Sequence, residues 1–296
     1  MRQDLSTLDR DIGQPWSRVI QEAFRDGIDC DIIHGGLLVG GSQQGLYGQS
    51  ATPNYIIGTR RISPDGRVYR YVKATNIIAQ THFGLKFYSR IADGIGNTPP
   101  LQTQIVGDST IKIDSGKGAA GVAKDELVGG YVIIHLGSDN YNQFRGITGN
   151  TLADGDGYVT ITLDAPLTAA IKLSHSVEVL QNPYGNVRLM AGPSGGMAGT
   201  GFASVAGIPN VKTLVANQYI WIQTWGPIWI NPHGDAGSGV DQCERKLVFD
   251  AEGSVSVADE VSHGGITQTD GDEQVAGFII DRVAGGPPLI MLQISP

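Results

Sequence analysis

Two glycine-rich stretches of this 296-residue chain have the spacing of known chemical motifs. Gly116, Gly118 and Gly121 match G-x-G-x-x-G, follow an expected strand at 110–114, and have Asp139 about twenty residues on. In a dinucleotide site such glycines lead into a helix whose N-terminus holds the pyrophosphate. Only residues 122–128 lie before Gly129 and Gly130, too few for the crossover helix that parallel strands require, so the stretch reads as a flexible loop. Gly192, Ser194 and Gly196 match G-x-S-x-G, which as a nucleophile elbow needs a strand before it and a helix after it. The MAGTG at 197–201 would not hold a helix, and Ser194 reads as a linker serine rather than the nucleophile of a hydrolase. The six histidines, at 34, 82, 135, 175, 233 and 263, show no H-x-H or H-E-x-x-H spacing. Asp154 and Asp156, and Asp270, Asp272 and Glu273, gather carboxylates in turns without the full calcium-loop pattern, and read as solvated hairpin ends. Cys30 and Cys243 lack metal spacing and read as reduced, structural thiols. No catalytic, cofactor-binding or metal-ligating residue is assigned, and the chain is expected to be neither an enzyme nor a cofactor carrier.

The aromatic and basic residues point to surfaces instead. Trp221, Trp225 and Trp229 fall within nine residues of a stretch rich in isoleucine. Tyr219, Trp221, Gln223 and Trp225 share one parity, and Ile220, Ile222 and Thr224 share the other. Alternate strand residues face opposite ways, so this is a strand with one aromatic and one β-branched face. The Gly226–Pro227 pair argues against a helix. A strand apolar on both faces is normally buried on both, which makes the tryptophans a core or subunit-interface element. The rival reading is a carbohydrate-binding module that displays Trp221 and Trp225 for sugar stacking. Arg60, Arg61, Arg67, Arg70 and Lys73 concentrate positive charge within fourteen residues, either as a solvated hairpin face or as a docking face for an acidic protein partner. The interface candidates are therefore Arg60, Arg61, Arg67, Arg70, Lys73, Trp221 and Trp225.

The elements that would position these residues are mostly strands. With 21 basic and 29 acidic residues the net charge is −8, which argues against a nucleic-acid partner. The start has no apolar signal core and no run approaches a membrane span, so a soluble protein of a reducing cytoplasm is expected. Forty-two glycines mark turns between apolar strands. Pro15, Trp16, Val19, Ile20, Ala23 and Phe24 have helical spacing, and residues 34–50 form a glycine-punctuated stretch that reads as an arm ordered by a neighbour. Residues 55–62 and 67–73 flank a Ser63-to-Gly66 turn and form a hairpin. Further strands are expected at 110–114, 131–136, 158–163, 176–180, 246–249, 254–257, 275–281 and 289–294. The fold class is mainly β: two antiparallel β-sandwich or barrel modules, with an N-terminal helix and an extended arm. Its divisions are 1–57 for helix and arm, 58–190 for the first module and 191–296 for the second.

The segment GTRRISPDGRVYRYVKA at 58–74 resembles a hairpin found near the start of structural proteins of tailed bacteriophages. LVGGY at 127–131, YNQFRGI at 141–147, ITLDAPL at 161–167, NPY at 182–184, ANQYIWIQTWGP at 216–227 and VAGFII at 275–280 are similar to the same family. The resemblance runs from Gly58 to Pro296 and does not cover the first fifty residues. It implies a non-enzymatic virion component, a capsid decoration (cement) or minor head protein that binds and stabilises the major capsid protein lattice. A tail or neck component is the alternative within the family. It further implies a homo-oligomer, with a trimer favoured, synthesis in the host bacterial cytoplasm, and a final place on the capsid surface without nucleic-acid or membrane partners.

Overall fold

The computed structural model describes residues 32–34, 44–87, 95–116, 121–136, 142–190, 204–232, 245–250, 252–257, 262–263, 266–267, 274–281 and 288–296. The expected N-terminal helix and Ser194 lie outside these residues, as do most of the arm and the 270–273 carboxylates. The strands, in chain order, begin with β1 (Ile32–His34), β2 (Arg60–Ile62), β3 (Val68–Ala74), β4 (Leu85–Phe87) and β5 (Ile95–Thr98). Next come β6 (Thr110–Asp114), β7 (Tyr131–His135), β8 (Gln143–Asn150), β9 (Tyr158–Leu163) and β10 (Ser176–Leu180). Then come β11 (Val187–Leu189), β12 (Val205–Pro209), β13 (Gln218–Trp229), β14 (Lys246–Phe249) and β15 (Val255–Val257). The last are β16 (Ser262–His263), β17 (Ile266–Thr267), β18 (Val275–Asp281) and β19 (Leu289–Gln293). The protein is mainly β, and the helical element among the described residues is a short 3-10 turn, Pro183–Gly185, capped by Asn182, whose side chain accepts from the Tyr184 amide.

Two compact units divide the chain, Met1–Phe87 with Val187–Pro296, and Tyr88–Asn186 between them. This differs from two consecutive modules meeting at 190/191. The physical reason is strand pairing: β3 lies antiparallel to β13 along Gln218–Trp225, which ties the 58–74 hairpin to the tryptophan strand rather than to the strands next in sequence.

In the first unit, β3, β11, β4, β12 and β13 hydrogen-bond in turn, and the β3–β13 pairing closes them into a ring. Closing a sheet on itself removes its edges, which a sandwich of two open sheets would leave exposed. Register places Val72 opposite Ile220 and Ala74 opposite Val187, and all four are fully buried with Ile222. A large apolar side chain buried in this way contributes about 1.5–3 kcal/mol relative to exposure. β13 is twelve residues long and outruns the ring. Its second half pairs with β19, and the sheet continues through β18 and β14 to β15. A second core of Ile228, Ile230, Leu247, Phe249, Val255, Ala276, Ile290 and Leu292 lies against one side of this extension.

The second unit is a sheet of order β5-β10-β7-β8-β9-β6. Alternation is clean in β6, β7, β9 and β10, and the inward residues Ile111, Ile113, Val132, Ile134, Val159, Ile161, Val177 and Val179 make its core. Pro100 bridges Ile113 and the Leu101 amide donates to Lys112 O at 2.9 Å, so the segment after β5 meets β6 and the sheet curls back on itself. After Gly121 the chain runs in turns to β7, which pairs antiparallel on both sides. The Asn150 side chain holds those turns, accepting from the Leu127 amide at 2.9 Å and donating to Ala123 O at 2.8 Å. Among the described residues no crossover helix stands behind the 116–121 glycines. The Asp154 carboxylate is occupied by its own turn, accepting from the Asp156 and Tyr158 amides.

Candidate functional site

A constellation of polar and aromatic groups is built on the aromatic face of β13. Tyr219, Trp221 and Gln223 stand opposite Lys73, Tyr71 and Tyr69 of β3, so six side chains share one face across two strands. Tyr55, from the loop before β2, joins them: its ring lies 5.2 Å from Tyr71 and 5.1 Å from Trp221, tilted against both. Tyr219 stacks on Tyr71 at 6.0 Å. Such offset and edge-on pairs add about 0.5–1.5 kcal/mol each beyond the area they bury.

A single glutamine closes this cluster. The Gln44 amide donates to the Tyr55 hydroxyl at 3.3 Å, and its carbonyl accepts from Trp221 Nε1 at 3.1 Å and Arg61 Nη1 at 3.0 Å. Its Oε1 accepts from the Tyr71 hydroxyl at 2.8 Å and Asn54 Nδ2 at 3.1 Å, while Nε2 donates to Gly48 O and Tyr219 O, both at 2.8 Å. Every polar atom of this buried residue is thereby satisfied, as burial demands. Ser50 then pairs with Tyr219 through two backbone hydrogen bonds, 3.1 and 2.8 Å long. Residues 44–50, the end of the expected arm, are thus fastened to their own chain. Burial pushes the Tyr69 and Tyr71 hydroxyls up to about 12 and raises that of Tyr219 as well. At ordinary pH the Tyr69, Tyr71 and Tyr219 hydroxyls are neutral, and the cluster is a fastening rather than an acid–base site.

The interface candidates separate in this geometry. Arg60 is opposite Arg70, and Arg61 is opposite Tyr69, so the basic residues of the hairpin divide between the two faces of β2 and β3. A spacing of three, as between Arg70 and Lys73, changes face in a strand. Arg61 lies over the Trp221 ring at 5.5 Å as well as bonding Gln44, and Arg67 pairs with Asp65 at 2.6 Å. Arg70 donates to Gly58 O at 3.3 Å and Ser295 Oγ at 3.4 Å. The five cations therefore do not form one continuous patch, and three are engaged within the chain.

Trp221 is 0% exposed and cannot stack on a sugar in this fold. The strand is buried on both faces around it, as its two-sided apolarity implies. The shared parity of Trp221 and Trp225 is broken. Between Gln223 and Trp225 the register slips, so Gln223 pairs with Tyr69 but Trp225 with Val68. This is a bulge, which re-aims the residues after it, and Trp225 faces with Val68, away from Trp221. Thr224, the extra residue, is buried and donates to Ser295 O at 2.7 Å. Gly226 comes two residues later at φ 97°, a left-handed conformation that glycine adopts without strain.

Past the bulge, the outward face of the extended sheet has an apolar centre open to solvent, bordered by exposed Gln293 opposite Trp225, Asp281 opposite Leu289 and Lys246 opposite Phe278. Trp229 sits opposite Leu289, Pro227 opposite Met291, and Met291 opposite Phe278. Trp229 and Phe278 are each 41% exposed, with Leu289 and Ile280 close behind. His82, held at φ 65°, sets its ring edge-on to Trp229 at 4.5 Å, and burial lowers its pKa. Sequence reading missed both this face and Gln44. The even spacing of Trp225, Pro227 and Trp229 signalled the face faintly, whereas nothing in the glycine-rich stretch marks Gln44 over Gln43.

No protein-family model, curated protein or solved structure matches this chain.

Proposed function

We propose that this chain is a non-enzymatic structural protein of a tailed-phage virion, a capsid decoration or minor head protein that binds and stabilises the major capsid lattice. The observation that carries the reading is the open apolar face of β13, β19 and β18 around Trp229, Phe278 and Leu289. An exposed apolar centre rimmed by polar residues, here Asp281, Gln293 and Lys246, is the make-up of a protein–protein contact, because water otherwise penalises the apolar part. The capsid shell is the partner that covers it. The sequence resemblance from Gly58 onward supports the same class. In this reading the chain is a homo-oligomer, a trimer by preference, on the outer capsid surface.

Co-sedimentation with purified empty capsids tests the proposal. The parent protein pellets with the shells, and the Trp229→Ser/Phe278→Ser double variant loses binding by about a hundredfold, because each aromatic anchor contributes about 1.5 kcal/mol or more. Both residues are substantially exposed, so circular dichroism of the variant should match the parent. A parent that stays in the supernatant, or a variant that binds as well as the parent, contradicts it. Solution mass measurement checks the trimer independently.

A further inference from the structure

The second unit carries a different aromatic surface. Tyr131 and Ile133 of β7 alternate with buried Val132 and Ile134 and so point outward. Phe144 and Glu178 both lie opposite Ile133, from β8 and β10, and Gly146 lies opposite Tyr131, which puts them all on the same outward face. Phe144 is 57% exposed, and its ring stacks on Tyr131 with centroids 5.0 Å apart and planes within 19°. The result is a flat apolar step on the surface of a strand pair.

Polar groups stand on both sides of this step. On one side Glu178 faces His135, with Oε1 3.6 Å from Nε2. On the other, a Cβ placed on Gly146 would meet Asp164 Oδ2 at 2.7 Å, so the Asp164 carboxylate occupies the space that glycine leaves open beside Tyr131. With strands about 4.8 Å apart, Glu178 and Phe144 are about 10 Å apart, and Asp164 lies about one strand farther. A planar apolar centre between hydrogen-bond acceptors is the arrangement that orients a small ligand with one apolar and one polar aspect. Pyranose rings have this character: C–H groups on a face and hydroxyls around the rim, where carboxylates accept strong charge-assisted hydrogen bonds. Two carboxylates disfavour an anionic sugar.

We propose that the Tyr131–Phe144 face, with Asp164 and Glu178, is a binding site for a short run of neutral sugar units. It goes beyond the virion reading and does not rest on it. Isothermal titration of the full chain with maltohexaose, cellohexaose, xylohexaose and chitohexaose tests it, with hexalysine as the cationic comparison. At least one oligosaccharide binds, Phe144→Ala weakens it about tenfold, and Asp164→Asn or Glu178→Gln weakens it further. Gln49→Ala, on an exposed residue of the other unit, leaves it unchanged. The proposal is overturned if none of the four sugars binds at millimolar concentration, or if binding survives Phe144→Ala intact. Binding of hexalysine in place of the sugars assigns the face to a basic peptide and overturns it equally.

Discussion

Gln44 shows how one residue comes to hold a surface together. Its side chain spans the Tyr71 hydroxyl, the Asn54 amide and the Tyr219 carbonyl, and its backbone carbonyl takes the Trp221 indole and Arg61. Truncation leaves buried donors and acceptors without partners, which costs more than the net worth of the lost bonds. Gln44→Ala is expected to lower stability by roughly 3 kcal/mol in urea unfolding followed by tryptophan emission, whereas Gln49→Ala, on an exposed residue, changes it by less than about 0.5 kcal/mol. The same cluster sets an alkaline limit. The fold raises Tyr69 and Tyr71 from 10.0 to about 12, which favours their protonated form. That contribution is complete below pH 10 and is lost as pH rises from 10 towards 12. Ultraviolet titration is expected to show Tyr69, Tyr71 and Tyr219, three of the ten tyrosines, ionising late and together with loss of structure; ionisation of all ten near pH 10 with the fold intact contradicts this.

Among the elements, those with strong alternation or continuous apolar runs were legible in advance. The strands at 110–114, 158–163, 176–180, 246–249 and 275–281 run as expected, because the pattern of side chains that bury or face water is local. β4, β11 and β12 were not foreseen. Each is three to five residues long, and each exists because the ring needs a partner at that place, not because its own residues insist on a strand. The bulge at Thr224 was hidden for the same reason, since parity along β13 reads continuously until β3 imposes a register. The close approach of β18 to β19 is likewise non-local. Gly277 sits at φ 144°, and a Cβ there would overlap the Met291 carbonyl. Gly277→Ala is expected to cost about 4 kcal/mol or more, seen as a large fall in denaturation midpoint. Gly45→Ala, with open space around it and no left-handed backbone, should change the midpoint little.

On the scale of the whole molecule, fold class was readable and domain arrangement was not. Glycine-marked turns and short apolar strands imply a β protein, but which strands share a sheet depends on contacts such as β3 with β13, separated by more than a hundred residues. One unit therefore interrupts the other in sequence, and a linear division of the chain could not represent that. The proposed contact surfaces divide between the units as well. The first bears the clasp at Gln44 and the open apolar face, and the second bears the Tyr131–Phe144 step. In the proposed role the first unit's apolar face is built to be covered by a capsid. Cryo-electron microscopy of the native particle decides this in one step. The expected result is density for both units on the outer capsid surface, with Trp229 and Phe278 buried against the shell; particles with no density for this chain, or with that face open to solvent, would contradict it.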